Sequence, residues 1–108
     1  MASRPDDHVL QHRISLEQAK QFVRNHERTA APGSERCGYF SRGILDEILA
    51  HPGCAGIRFY HGRDANGKSA IVLIGVTKEK LDITDGPIAE NHQPCPPECG
   101  GSQLGSGG

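Results

Sequence analysis

The chain holds 108 residues, 35% of them hydrophobic and only 5% aromatic, with no Trp, 14 Gly and 7 Pro. At about 100–200 residues per domain this is one domain with a small core, and two catalytic domains are excluded. Twelve Lys and Arg against 13 Asp and Glu leave a net charge of -1 without any block of like charge, so the electrostatic footprint of a nucleic-acid binder is missing.

Residues 1–13 mix Asp6, Asp7, His8, His12 and Arg13 with Pro5 and carry no apolar period, which predicts a flexible N-terminal arm. From Ile14 the pattern changes. Ser15 and Gln18 have capping-box spacing, Ile14 and Ala19 occupy the staple positions, and Leu16, Ala19, Phe22 and Val23 share one face of a helix running to about Arg28. Ala30-Ala31-Pro32-Gly33-Ser34 is turn chemistry and ends it. A second helix is predicted with Ser41 as N-cap, Phe40 and Leu45 as staple, and an apolar stripe of Ile44, Leu45, Ile48 and Leu49 that stops at His51-Pro52-Gly53.

Gly56 to His61 alternates in period two, with Ile57, Phe59 and His61 on one face and Arg58 and Tyr60 on the other, as in a half-exposed strand. Ala70 to Val76 is continuously apolar and rich in β-branched residues, the pattern of a central, covered strand. It is also the longest uncharged apolar run, far below the roughly 20 residues of a membrane helix, and the polar start MASRPDDH lacks a signal-peptide core. A soluble, cytoplasmic protein with neither nucleic acid nor membrane as partner is therefore expected. Asn66-Gly67 supplies the turn between the two strands, and Leu81-Asp82-Ile83 is the expected third strand.

From Asp85 the composition shifts: four of the prolines (Pro87, Pro94, Pro96, Pro97) and six of the glycines crowd into residues 85–108, leaving few groups to bury. The expected organisation is an arm over 1–13, an α+β domain over 14–84 with two helices packed on a three-stranded antiparallel meander, and an extended Cys/Pro/Gly-rich tail over 85–108. The alternative for the tail's start is that it folds back, with Pro87 and Ile88 covering an open edge of the sheet.

Gly62 to Ser69 matches the phosphate-binding expression G-x-x-x-x-G-K-[ST] letter for letter. The context excludes it, because such a loop needs a helix N-terminus after it and here the strongest strand signal follows. A hairpin tip is the expectation. In the tail, Cys95-Pro96-Pro97-Glu98-Cys99 with His92 upstream offers two thiolates and an imidazole, three of the four ligands of a tetrahedral zinc site, which Cys37, Cys54 or a second subunit could complete. The C-x3-C spacing is unlike the usual paired C-x2-C knuckles. Soft thiolates also select copper(I), and Cys95, Pro96 and Cys99 resemble the C-P-x-x-C motif of Sco-type copper chaperones, whose thioredoxin fold the helix-helix-strand order here does not match.

A disulfide within that motif needs a turn, because four polyproline steps at about 3.1 Å separate the Cα atoms by about 12 Å, beyond the roughly 7 Å limit. The plain alternative is a solvated tail with two idle thiols. Cys37 and Cys54 flank the second helix and are expected as small buried hydrophobes. His26 and His51, near helix C-termini, complement the dipole. Asp46 and Glu47 are adjacent and point to different azimuths, and neither a G-x-S-x-G elbow nor an H-E-x-x-H helix occurs. No enzyme is expected.

Gly38-Tyr39-Phe40-Ser41, the run from Gly53 to Tyr60, Ala70 to Val76 and the ending Cys95-Pro96-Pro97-Glu98-Cys99-Gly100 together resemble a family of small bacterial proteins that end in C-P-P-x-C-G. The resemblance spans most of residues 14–100 and implies a single-domain bacterial protein to which the tail belongs; it implies no activity. The resulting expectation is a non-catalytic binding or assembly module, engaging a protein partner or a second copy of itself. The alternative is a metal-handling (zinc or copper) or thiol-redox protein that uses His92, Cys95 and Cys99.

Overall fold

In the computed structural model, which describes residues 9–35, 37–91 and 104, the elements run α1 (Val9–His12), α2 (Leu16–Thr29), α3 (Arg42–Ala50), β1 (Gly56–Arg63), β2 (Ser69–Val76) and β3 (Ile88–Glu90). Three helices and one three-stranded antiparallel sheet make an α+β architecture. The backbone divides into two compact units, with α1 and α2 in one and α3 and the sheet in the other.

In the first unit, the residues just before Arg13 form a single helical turn, α1, closed by the Arg13 N–H donating to the Val9 carbonyl at 3.2 Å. The rest of the expected arm, residues 1–8, lies outside the described residues. α2 opens with the capping box its sequence announces. The Ser15 hydroxyl oxygen accepts from the Gln18 N–H and the Gln18 side-chain oxygen accepts from the Ser15 N–H, both at 3.0 Å, satisfying two donors that the first turn would leave open. The helix ends at Thr29, before Pro32. Its apolar stripe is only half-covered: Ala19 and Val23 are half-buried while Leu16 and Phe22 are exposed.

In the second unit, Ser41 caps α3 by accepting from the Ile44 N–H at 3.3 Å. Ile48 is the best-buried side chain described, at 1% exposure, and Ile44 and Leu45 are half-buried beside it. Leu49, expected in the same stripe, is exposed. α3 packs where β2 carries Gly75, a residue without a Cβ because none fits: one built there would stand 3.0 Å from the Cys54 Sγ and 3.3 Å from the Ile48 Cγ2. Ile83, also buried, closes on the same spot, its Cδ1 3.5 Å from where that Cβ would stand.

β1 and β2 pair in register from Gly56↔Val76 to Arg63↔Ser69. The tip between them is a compact turn in which Asp64 Oδ1 accepts from the N–H groups of Asn66 and Lys68, both at 2.9 Å. Gly67 takes φ 81° there, a conformation glycine adopts without a steric penalty. β2 is the central strand.

The third strand departs from expectation. Leu81-Asp82-Ile83 forms only an isolated bridge, Val76↔Asp82, because the chain turns again at residues 84–86 directly after it. The strand that completes the sheet is Ile88–Glu90, paired with β2 through Val72↔Glu90, Leu73↔Ala89 and Ile74↔Ile88. It comes from residues assigned to the tail by composition, and it lies on the edge that Pro87 and Ile88 would cover in the fold-back alternative. The ladder then gains one more rung, as the Asn91 N–H donates to the Ile71 carbonyl at 3.0 Å and the Asn91 side-chain oxygen accepts from the Ile71 N–H at 2.6 Å.

Candidate functional site

The residues singled out for metal or thiol chemistry, His92, Cys95 and Cys99, lie outside the described residues. Among the described residues no group of three or more His, Cys, Asp or Glu side chains is gathered where a metal ion could sit. Of the two described cysteines, both free thiols, Cys54 is half-buried and Cys37 is exposed. The expectation that both are buried fails for Cys37. Cys54 behaves as the small packing group foreseen, with its Sγ set against Gly75 and its S–H donating to the Gly56 carbonyl at 3.2 Å.

His51 is the C-cap residue of α3, its Nδ1 3.0 Å from the Pro52 carbonyl oxygen and its Nε2 3.8 Å from the exposed Asp85 carboxylate. At the hairpin tip, β2 rather than a helix follows Ser69, so the backbone N–H groups of Asn66 and Lys68 are turned onto Asp64. A phosphate cradle needs those groups free.

The side chains of β1 divide between the two faces of the sheet as period two requires. On one face Ile57, Phe59 and His61 stand opposite Gly75, Leu73 and Ile71. Phe59 is 60% exposed, and its ring meets that of His61 edge-on, with centroids 5.5 Å apart at 87°. On the other face Arg58 and Tyr60 both reach Asp82: the guanidinium donates to Oδ1 and the phenol to Oδ2, each at 2.6 Å. Asp82 bridges to β2 on the side away from β1, so these two side chains cross over β2 as a strap. A second Arg58 nitrogen donates to the Lys80 carbonyl at 3.0 Å. Hydrogen bonding with Tyr60, foremost, raises the Arg58 pKa above its ordinary value; desolvation opposes it, and the Asp82 charge adds to the rise.

The main chain of β1 has a directed edge. The carbonyl of Val76 faces β1, accepting from Ala55 N–H, whereas those of Ile71 and Gly75 face the opposite side, accepting from Asn91 and Ile83. Hydrogen-bonding groups alternate sides along an antiparallel strand. By the register, Gly56, Arg58, Tyr60 and Gly62 therefore bond to β2, and Ile57, Phe59, His61 and Arg63 turn their N–H and C=O groups outward. Among the described residues no strand or bridge pairs with that outer edge. The alternation of Ile57 to His61 was legible as a face pattern. Its exposure as an edge was not, since nothing local in a strand tells on which side its neighbours lie.

No protein-family model matches the chain, and no curated protein and no solved structure matches it. Among the described residues no helix is long and apolar enough to cross a membrane.

Proposed function

We propose that the chain is a non-catalytic binding or assembly module, an α+β scaffold that presents an interaction edge on β1 and carries the Cys95-Pro96-Pro97-Glu98-Cys99 segment beyond β3. The observation that carries this reading is the combination on β1 of a backbone edge unpaired among the described residues with an exposed Phe59. Strand edges and exposed aromatic side chains are the features proteins use to add a strand from a partner. The net charge of -1 suits a protein partner better than a nucleic acid. The free thiols of Cys37 and Cys54 suit the cytoplasm, where cysteines stay reduced. On the same reading the chain groups with small bacterial proteins ending in C-P-P-x-C-G.

The rival, in which His92, Cys95 and Cys99 bind zinc or copper(I) or cycle through a disulfide, is separated by thiol titration and metal analysis of protein purified under reducing conditions. The binding-module reading expects Cys95 and Cys99 to react independently and no stoichiometric metal. Metal at one equivalent, with both thiols protected together, would replace it with the metal-handling reading.

A further inference from the structure

We propose that the outer edge of β1 pairs with the same edge of a second copy of this chain, antiparallel about a two-fold axis at Phe59, so that two three-stranded sheets become one six-stranded sheet. This rests on the binding-module reading and names its partner. An edge strand is a template for another strand unless it is blunted by brevity, Pro, Lys or a bulge. β1 has eight residues, contains neither Pro nor Lys, and pairs with β2 without a break in register. Its two arginines are turned away from the edge: Arg58 reaches back over β2 to Asp82, and Arg63 donates to the Gly67 carbonyl in the hairpin tip at 3.1 Å.

The geometry of the edge is self-complementary in a specific register. A two-fold axis normal to the sheet pairs outward-facing residues with outward-facing residues and leaves each face on its own side. With the axis at Phe59, Phe59 meets Phe59 of the second copy, Ile57 meets His61, and Arg58 meets Tyr60. No like charges stand opposite each other. Moving the axis to Arg58 would set Phe59 against Ile57 and Tyr60 against Gly56, leaving the Phe59 ring without its counterpart. The Phe59 ring, the most exposed apolar group on the strand, is thus the one that the axis covers.

Sedimentation velocity of the full chain in reductant, over a range of concentrations, tests the pairing together with two variants. The wild type should pass from monomer to dimer as concentration rises, and the Phe59 and His61 amides should exchange more slowly in the dimer. His61→Pro removes an outward N–H and leaves the ladder to β2 intact, a substitution edge strands accept. It should abolish the dimer while circular dichroism stays native. Phe59→Lys, which places two ammonium groups at the axis, should do the same and decides the matter if His61→Pro fails to fold. A wild type that is monomeric throughout, or a dimer that survives in both folded variants, overturns the proposal. A monomer leaves the binding-module reading standing with another protein as strand donor, whereas one equivalent of metal on the tail cysteines overturns that reading whatever the oligomeric state.

Discussion

Asn91 pairs with Ile71 through one main-chain and one side-chain group, its N–H donating at 3.0 Å and its amide oxygen accepting at 2.6 Å in the place of a main-chain carbonyl. The residue is 6% exposed, so water cannot take over the bond. Asn91→Ala leaves the Ile71 N–H without its acceptor and should cost about 1–3 kcal/mol. Chemical denaturation would measure the loss, and faster hydrogen exchange at the Ile71 amide would locate it.

Gly75 and Cys54 should be coupled. Gly75→Ala drives a methyl group against the Cys54 Sγ and Ile48, an overpacking expected to cost about 1–3 kcal/mol. Adding Cys54→Ala removes the nearest atom and should restore part of the loss. A double-mutant cycle with a coupling below about 0.5 kcal/mol would contradict the contact.

Lys80 holds φ 69° without being glycine, a conformation that costs an L-residue about 1–2 kcal/mol. Lys80→Gly removes that cost and adds about 0.5–1 kcal/mol of chain entropy. The melting temperature should rise, at roughly 4–8 °C per kcal/mol gained. Arg58 donates to the carbonyl of the same residue, so Arg58→Ala should speed amide exchange at Lys80 and Leu81. Because the Arg58 pKa is raised, its stabilising contacts are complete below the ordinary arginine range and vanish only as pH climbs through the raised value. Melting across neutral pH should show no step from this group.

The hairpin tip separates a backbone role from a phosphate role. Asp64→Ala deletes the acceptor of two N–H groups and should destabilise by about 1 kcal/mol. Lys68→Ala, at the position where a nucleotide-binding loop would carry its lysine, should change stability by less than about 0.5 kcal/mol. ATP should leave the melting temperature of both unaltered.

What could be read in advance was local. Ser15 with Gln18 and Ser41 before an apolar stripe mark helix starts because the cap and its partner lie within four residues, and the Ile57 to His61 alternation marks a strand because each face declares itself every second residue. As a strand β3 is not legible, because Ile88-Ala89-Glu90 is too short to show a period and sits between Pro87 and the proline-rich segment beyond; only the alternative of a fold-back onto an open edge places it. Its place depends on an edge of β2 and on a rung made by a side chain. Leu81 to Ile83 carries an alternation, but the turn at residues 84–86 directly after it leaves it one bridge. The strap from Arg58 and Tyr60 to Asp82 joins residues more than twenty positions apart, which no local pattern encodes. His92, Cys95 and Cys99 were legible only as chemistry, by residue type and spacing.

The rung at Asn91 also turns the sheet into a fixed post for the chain that follows. An extended chain advances at most about 3.6 Å per residue, so Cys95 stands no more than about 14 Å from Asn91 and Cys99 no more than about 29 Å. The side-chain bond of one asparagine thus bounds the distance of both thiols from the edge of the sheet.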